Sequence, residues 1–358
     1  MEVNHKMEEK HNKKLNQHIN DNQNIDNTIN SKNNIKNDIN NINVSNQANI
    51  TAIFNNISKK MVGSDRVTKL LLISLLANGH VLLEDVPGTG KTVLAKSLAE
   101  SIDLQFNRIQ FTPDLLPSDI TGLSIFNQKS AEFTFHQGPV FCNILLADEI
   151  NRATPRTQAG LLECMEEHQI TTDGKTRPLE NPFFVIATQN PLETAGTFAL
   201  PEAQMDRFLM QISMDLVSPK LKLTILERAL DMVLSPPLSS VCTKSSLLTM
   251  QDEVKKVYVH KLILDYIIKI IEATKEYSIN SMGISNRGMI ALLRAAQAAA
   301  YINQRNFVVP DDIKLVAVPV LAHRLILDYG SDITKTKENK IITLLEKIDV
   351  PTERWERQ

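Results

Sequence analysis

Two stretches carry side chains whose types and spacing could do chemistry together. In PGTGKT (87–92), Gly88 and Gly90 lack the Cβ atoms that would obstruct backbone N–H groups turning inward around phosphate oxygens. Lys91 adds a compact charge suited to the β/γ-phosphates, and Thr92 a hydroxyl suited to Mg²⁺. The second stretch is NILLADEINR (143–152), where an apolar run ends in Asp148-Glu149. One carboxylate there would hold a metal ion or its bound water, and the other would orient and partly deprotonate an attacking water. The loop departs from the pattern G-x-x-x-x-G-K-[ST] in one place, with Asp85 where the first glycine belongs. The turn that grips phosphate is made by the later residues, so the departure weakens the signal only moderately. Asn190, in FFVIATQNP (183–191), is a third polar group at the end of an apolar run. It could bond the γ-phosphate or the attacking water, and an Asn-Pro turn with no catalytic role reads equally well.

These residues need a scaffold that presents strand ends side by side. VLLE (81–84), LQFNRIQF (104–111), CNILLAD (142–148) and FFVIATQ (183–189) are apolar nearly throughout, as strands covered on both faces are. Helical segments separate them, which predicts an α/β fold around a mostly parallel sheet. VLAKSLAES, directly after the loop, predicts a helix whose N-terminus faces the bound anion. Two hairpins are expected as decorations, 121–138 around NQKSA and 169–179 around Asp173-Gly174. After about 217 the strand signal stops. Ile263, Tyr266, Ile267, Ile270 and Ile271 follow helical spacing, Ser285 can cap a helix over 285–304, and Pro310 with two aspartates opens one over 310–327. Pro319 is expected to bend or split the last.

The organisation read from these textures is a low-complexity extension over 1–48, a nucleotide-binding core over 49–216, a small all-α lid over 217–347, and a tail over 348–358. The extension is rich in Asn, Lys, Ile and Asp, with neither Gly nor Pro, and buries too little apolar area to offset ordering. A helical arm that folds on a partner is its alternative.

Composition narrows the function classes. A 358-residue chain with 42% apolar and 22% charged residues and a net charge of −2 does not announce a nucleic-acid or membrane partner. The three cysteines, Cys142, Cys164 and Cys242, form no C-x-x-C pair, which suits a reducing compartment. No apolar run reaches the ~18 residues needed to span a bilayer, and no secretory signal is visible at the N-terminus. The expected location is the cytoplasm.

The motifs taken together resemble the AAA+ ATPases, and within them the MoxR family. The matching stretches are HVLLEDVPGTGKTVLAKSLA, RIQFTPDLLPSDITG, HQGPVFCNILLADEINRATPRTQAGLLECMEE, FFVIATQNPLETAGTFALPEAQMDRFLM, GISNRG and VVPDDIKLVAVPVLAHRL, over about residues 50–330. Asp85 is common in that family. The resemblance implies an αβα P-loop domain followed by a helical lid, a ring that is usually hexameric, ATP and Mg²⁺ as ligands, and often a partner with a von Willebrand factor A domain. It implies nucleotide contacts from Val62, Gly63, Pro87, Gly88, Thr89, Gly90, Lys91, Thr92 and Val93, and metal contacts from Thr92 and Asp148. Glu149 would be the catalytic base, Asn190 the first sensor, Arg207 the arginine finger and Arg287, in SNRG, the second sensor. The hairpins would face the centre of the ring. The leading expectation is an ATP-hydrolysing remodelling chaperone that matures a client or inserts its metal or cofactor. The alternatives are a magnesium-chelatase-like ATPase subunit, a nucleotide-gated scaffold, and a nucleic-acid motor, for which Lys175 and Arg177 form the only suitably placed basic pair.

Overall fold

The computed structural model describes residues 46, 48–84, 88–190, 196–214, 219–230, 238–278, 283–327 and 333–352. Asp85 and Pro87 of the loop, and nearly all of the Asn-rich extension, lie outside them. The account below concerns the unit Ile50–Gln358.

A helix over residues 50–60, α1, precedes α2 (Asp65–Leu76), β1 (Val81–Glu84), α3 (Lys91–Ile102), β2 (Phe106–Gln110), α4 (Pro117–Thr121), β3 (Gly122–Asn127) and β4 (Glu132–Gln137). Then come β5 (Ile144–Asp148), α5 (Pro155–Glu167), β6 (Gln169–Thr172), β7 (Lys175–Pro178), β8 (Phe184–Gln189), α6 (Glu202–Met205) and β9 (Met210–Ser213). The remainder is helical: α7 (Pro219–Leu230), α8 (Lys244–Val254), α9 (Lys261–Ala273), α10 (Asn286–Ile302), α11 (Pro310–Leu321) and α12 (Ile333–Lys347).

Five strands form a parallel sheet in the order β2-β5-β8-β1-β9. Successive side chains on a strand point to opposite faces, and both faces here are covered, which is why the central strands read as unbroken apolar runs. Val81, Leu83, Ile144, Leu146, Phe184 and Ile186 join α2, α3 and the C-terminal helices in one cluster. Leu82, Leu145, Val185 and Ala187 join Leu161, Leu162 and Met165 of α5 in the other. Each fully buried large aliphatic side chain stabilises this stack by about 1.5–3 kcal/mol.

Two details differ from the expectations, and a third narrows one. The sheet has a fifth strand, β9, whose four residues follow α6 too closely to stand out. LQFNRIQF is not covered on both faces: β2 is an edge strand, with Ile109 buried and Arg108 and Gln110 exposed. Pro319 does not split its helix. α11 continues through it to Leu321 and tightens into a 3-10 turn at Ala322–Arg324. Both hairpins form, β3–β4 and β6–β7, each a separate two-stranded sheet. They are joined by the Ser124 hydroxyl donating to Asp173 and by Arg177 lying 3.8 Å from the Phe135 ring centroid. No helix among the described residues is long and apolar enough to cross a membrane.

Candidate nucleotide site

Parallel strands bring their carboxyl ends to one edge, and the chemistry-bearing residues collect there. β1 leads into the loop, β5 ends in Asp148 and β8 is followed by Asn190. Gly88 and Gly90 have φ of +89° and +92°, a left-handed conformation that side chains with a Cβ rarely adopt. Gly90 is the N-cap of α3, and the first helical bond runs from Leu94 N–H to Gly90 C=O. The N–H groups of Lys91, Thr92 and Val93 therefore have no intrahelical acceptor and crown the positive end of the helix dipole.

The segment before α2 closes one side of the loop. A Cβ on Gly90 would lie 3.1 Å from Met61, and one on Gly63, where φ is +74°, would lie 2.7 Å from Leu221 of α7. Val62 and Gly63 thus sit between the loop and α7, where a purine would be bounded by apolar groups.

Asp148 and Glu149 are held in opposite senses. The Thr188 hydroxyl donates to Asp148 Oδ1 at 2.6 Å, and Arg108 Nη2 meets Oδ2 at 2.7 Å. Glu149 has φ of +57°, a left-handed backbone that costs a non-glycine residue about 1–2 kcal/mol. That turn swings its carboxylate out of the strand direction, where Gln110 Nε2 donates to it at 2.7 Å and Arg152 Nε lies 3.0 Å away. Its N–H donates to Thr188 Oγ1 at 2.9 Å.

Glu84, the last residue of β1, is buried and accepts from Gln189 Nε2 at 2.5 Å. Burial raises the pKa of its carboxyl. The bond ties the strand entering the loop to the residue preceding Asn190.

Arg207 and Arg287 stand elsewhere. Arg207 Nε lies 3.1 Å from Glu166 Oε2, and Arg287 Nη2 donates to Glu166 Oε1. They line a cleft of about 260 Å³ with Gly79 and His80, which precede β1. The loop follows the other end of that strand, so the arginine pair and the phosphate cradle occupy opposite ends of the sheet.

Comparison with known proteins agrees with this geometry. Residues 80–210 match the ATPase family associated with various cellular activities, AAA, and residues 273–343 match an AAA lid domain. Chaperone MoxR1 of Mycobacterium tuberculosis is 40% identical over 290 residues, covering 78% of this chain and 76% of that one. Protein MoxR of Paracoccus denitrificans is 31% identical, covering 75% and 85%. The chain belongs to the MoxR family of AAA+ ATPases. YeaC of Bacillus subtilis is 46% identical over 83% of this chain and 93% of its own length. A crystal structure of a Cytophaga hutchinsonii protein superposes with a TM-score of 0.81 at 39% identity, covering 88% and 98%.

Within this MoxR-family chain, sequence reasoning missed the groups that orient the site. Arg108 and Gln110 alternate on one face of the strand beside β5, and that i, i+2 pair of polar residues flanking Ile109 was the available signal. Thr188 lies inside the apolar run FFVIATQ. Glu166 meets Arg287 across 121 residues and Arg324 meets Asp206 across 118, so neither pairing leaves a local trace.

Proposed function

We propose that the chain is an Mg²⁺-dependent ATPase acting in a ring of its own copies, six by analogy with its family, and coupling hydrolysis to remodelling of a client protein. The observation that carries this reading is the division of the site between two ends of one sheet. The loop, the α3 N-terminus, Asp148, Glu149 and Asn190 face one end, while Arg207 and Arg287 face the other. β1 spans about 13 Å at 3.3 Å per residue, and an arginine side chain does not bridge that with the loop beyond. The pair is therefore best used on the nucleotide of a neighbouring copy.

In this mechanism the backbone of Gly88–Val93 and the Lys91 ammonium grip the phosphates, with Val62 and Gly63 beside the base. The Thr92 hydroxyl and Asp148 are hard oxygen donors suited to Mg²⁺, and Thr188 already orients the carboxylate. They would hold the ion, which supplies charge neutralisation at the β/γ-oxygens when bound. Arg108 must then release Asp148 Oδ2. Glu149 accepts the proton of the attacking water, Asn190 orients that water, and Arg207 and Arg287 of the adjacent copy meet the charge that develops on the transferring phosphoryl group. Hydrolysis thereby depends on assembly.

A remodelling role is supported by the relative named as a chaperone and by the β3–β4 hairpin, which exposes Ile125, Phe126 and Phe133. We assign the core to 49–216 and the lid to 217–347 on the same grounds, a cytoplasmic setting, and a partner bearing a von Willebrand factor A domain. The nucleic-acid reading is disfavoured because Arg177 is spent within the hairpins, on the Phe135 ring and on the Thr172 carbonyl.

Purified full-length chain with Mg²⁺ is expected to turn over ATP, and Glu149→Gln to bind it while losing turnover by about a hundred-fold or more. Absence of turnover by the wild-type chain at every concentration would overturn the reading. Glu149→Gln held in ATP should also retain the client in a pull-down.

A further inference from the structure

We propose that Glu166 is a positioning residue that holds Arg207 and Arg287 together as one unit aimed at a neighbouring copy's nucleotide. This rests on the function proposed above and names a part of it that the motifs do not contain.

The two arginines come from separate elements. Arg207 precedes β9, and Arg287 lies in the first turn of α10. Two guanidiniums brought to one place repel, and each long side chain loses rotamer freedom when fixed. One carboxylate offsets both costs, with Oε2 taking Arg207 Nε and Oε1 taking Arg287 Nη2. The mode of contact matters. Glu166 engages Arg207 through Nε, and 30% of the Arg207 side chain and 47% of the Arg287 side chain remain accessible to an incoming anion. Glu166 therefore need not leave when phosphate arrives.

Its location breaks a local rule. Glu166 and Glu167 end α5, where the helix dipole disfavours carboxylates and favours cations. An anion kept where the helix itself opposes it points to a demand from outside the helix, and the two arginines supply that demand. Asp206 and Arg324 fix the backbone on the other side, since the Arg324 guanidinium bonds Asp206, Phe208 and Leu209 around Arg207. Glu166 fixes the side chain, and Arg324 the chain that bears it.

The test uses full-length rings with Glu166→Ala, Glu166→Gln and Glu166→Asp, checked for fold by circular dichroism and for assembly by sedimentation. Misplacing groups at a phosphoryl-transfer site costs about ten- to a hundred-fold in rate, so kcat is expected to fall about ten-fold or more in the Ala and Gln variants, with KM for MgATP within about two-fold. Asp should recover part of the loss, and adding Glu166→Gln to a chain already carrying both Arg207→Ala and Arg287→Ala should cost nothing further. Because the defect lies in what a copy donates, mixing Glu166→Ala chains with Glu149→Gln chains should restore turnover above the sum of the separate rates. An unchanged or raised kcat in Glu166→Gln, an effect confined to KM, or a full additional loss in the background lacking both arginines would overturn the proposal. If Arg207→Ala and Arg287→Ala keep full kcat, the trans arrangement falls. If they lose it while Glu166→Gln does not, only the role of Glu166 falls.

Discussion

Thr188 Oγ1 donates to Asp148 Oδ1 at 2.6 Å and accepts from the Glu149 N–H at 2.9 Å, so one buried hydroxyl fixes two consecutive acidic residues. The single proton of the hydroxyl is spent on the carboxylate, and a lone pair receives the amide. Thr188→Val keeps the shape and removes both bonds. It leaves the Glu149 N–H without its acceptor and frees the Asp148 carboxylate to rotate. The expected result is a kcat reduced about ten-fold or more and a stability loss of about 1–3 kcal/mol. Steady-state ATPase assays and thermal melts measure the two effects. Wild-type kcat in Thr188→Val would show that neither acidic residue depends on the hydroxyl.

A second prediction concerns the clamp beside the arginine pair. Arg324 has a side chain only 4% exposed, lies 2.6 Å from Asp206 Oδ1 through Nε, and donates to the carbonyls of Asp206, Phe208 and Leu209. A lysine keeps the charge but cannot serve a carboxylate and three carbonyls with one ammonium. Breaking a buried pair by losing one partner costs about 3–5 kcal/mol. Arg324→Lys is expected to lose about half of that and Arg324→Met all of it, giving a Tm lower by roughly 5–10 °C in the latter. Differential scanning calorimetry in the absence of nucleotide reads this directly, and an unshifted Tm for Arg324→Met would remove the clamp from the account.

What the sequence disclosed follows the range of each interaction. The four strand-forming runs, the hairpins and the Ser285 cap were readable because apolar runs, turn pairs and capping are local. Ser285 does accept the Gly288 N–H, as its position at the start of SNRG implied. β9 escaped because four residues between a short helix and a loop carry no periodicity of their own. Arg287 could be named from its motif, but its partner Glu166 lies 121 residues away, and Arg324 lies 118 from Asp206. Charges of that kind read locally as solvated surface, and only the fold brings them together. The same holds for the ends of the sheet: no spacing in the chain says that Arg207 and Lys91 are kept a strand's length apart.

The third prediction is a pH dependence. His80 is buried before β1, with Nδ1 accepting the Val185 N–H at 3.0 Å and Nε2 against the Met165 carbonyl at 3.0 Å. This neutral tautomer satisfies both ring nitrogens and joins β8 to the end of α5. Protonation would set an N–H against the Val185 N–H. Burial, with a smaller contribution from His168, lowers the His80 pKa from 6.5 to about 4. Between those values the unfolded chain binds the proton and the folded chain does not, so stability rises with pH across that window. The contribution is fully present above pH 6.5 and is lost as pH falls towards 4, amounting to roughly 3 kcal/mol at most. His323, buried beside Arg324 and also shifted downward, acts in the same direction. His80→Gln offers a donor and an acceptor without titrating. It should therefore flatten, without abolishing, the fall in Tm between pH 6.5 and 4.5 relative to wild type. Parallel melts of the two proteins decide it, and equal slopes would place the acid sensitivity elsewhere in the chain.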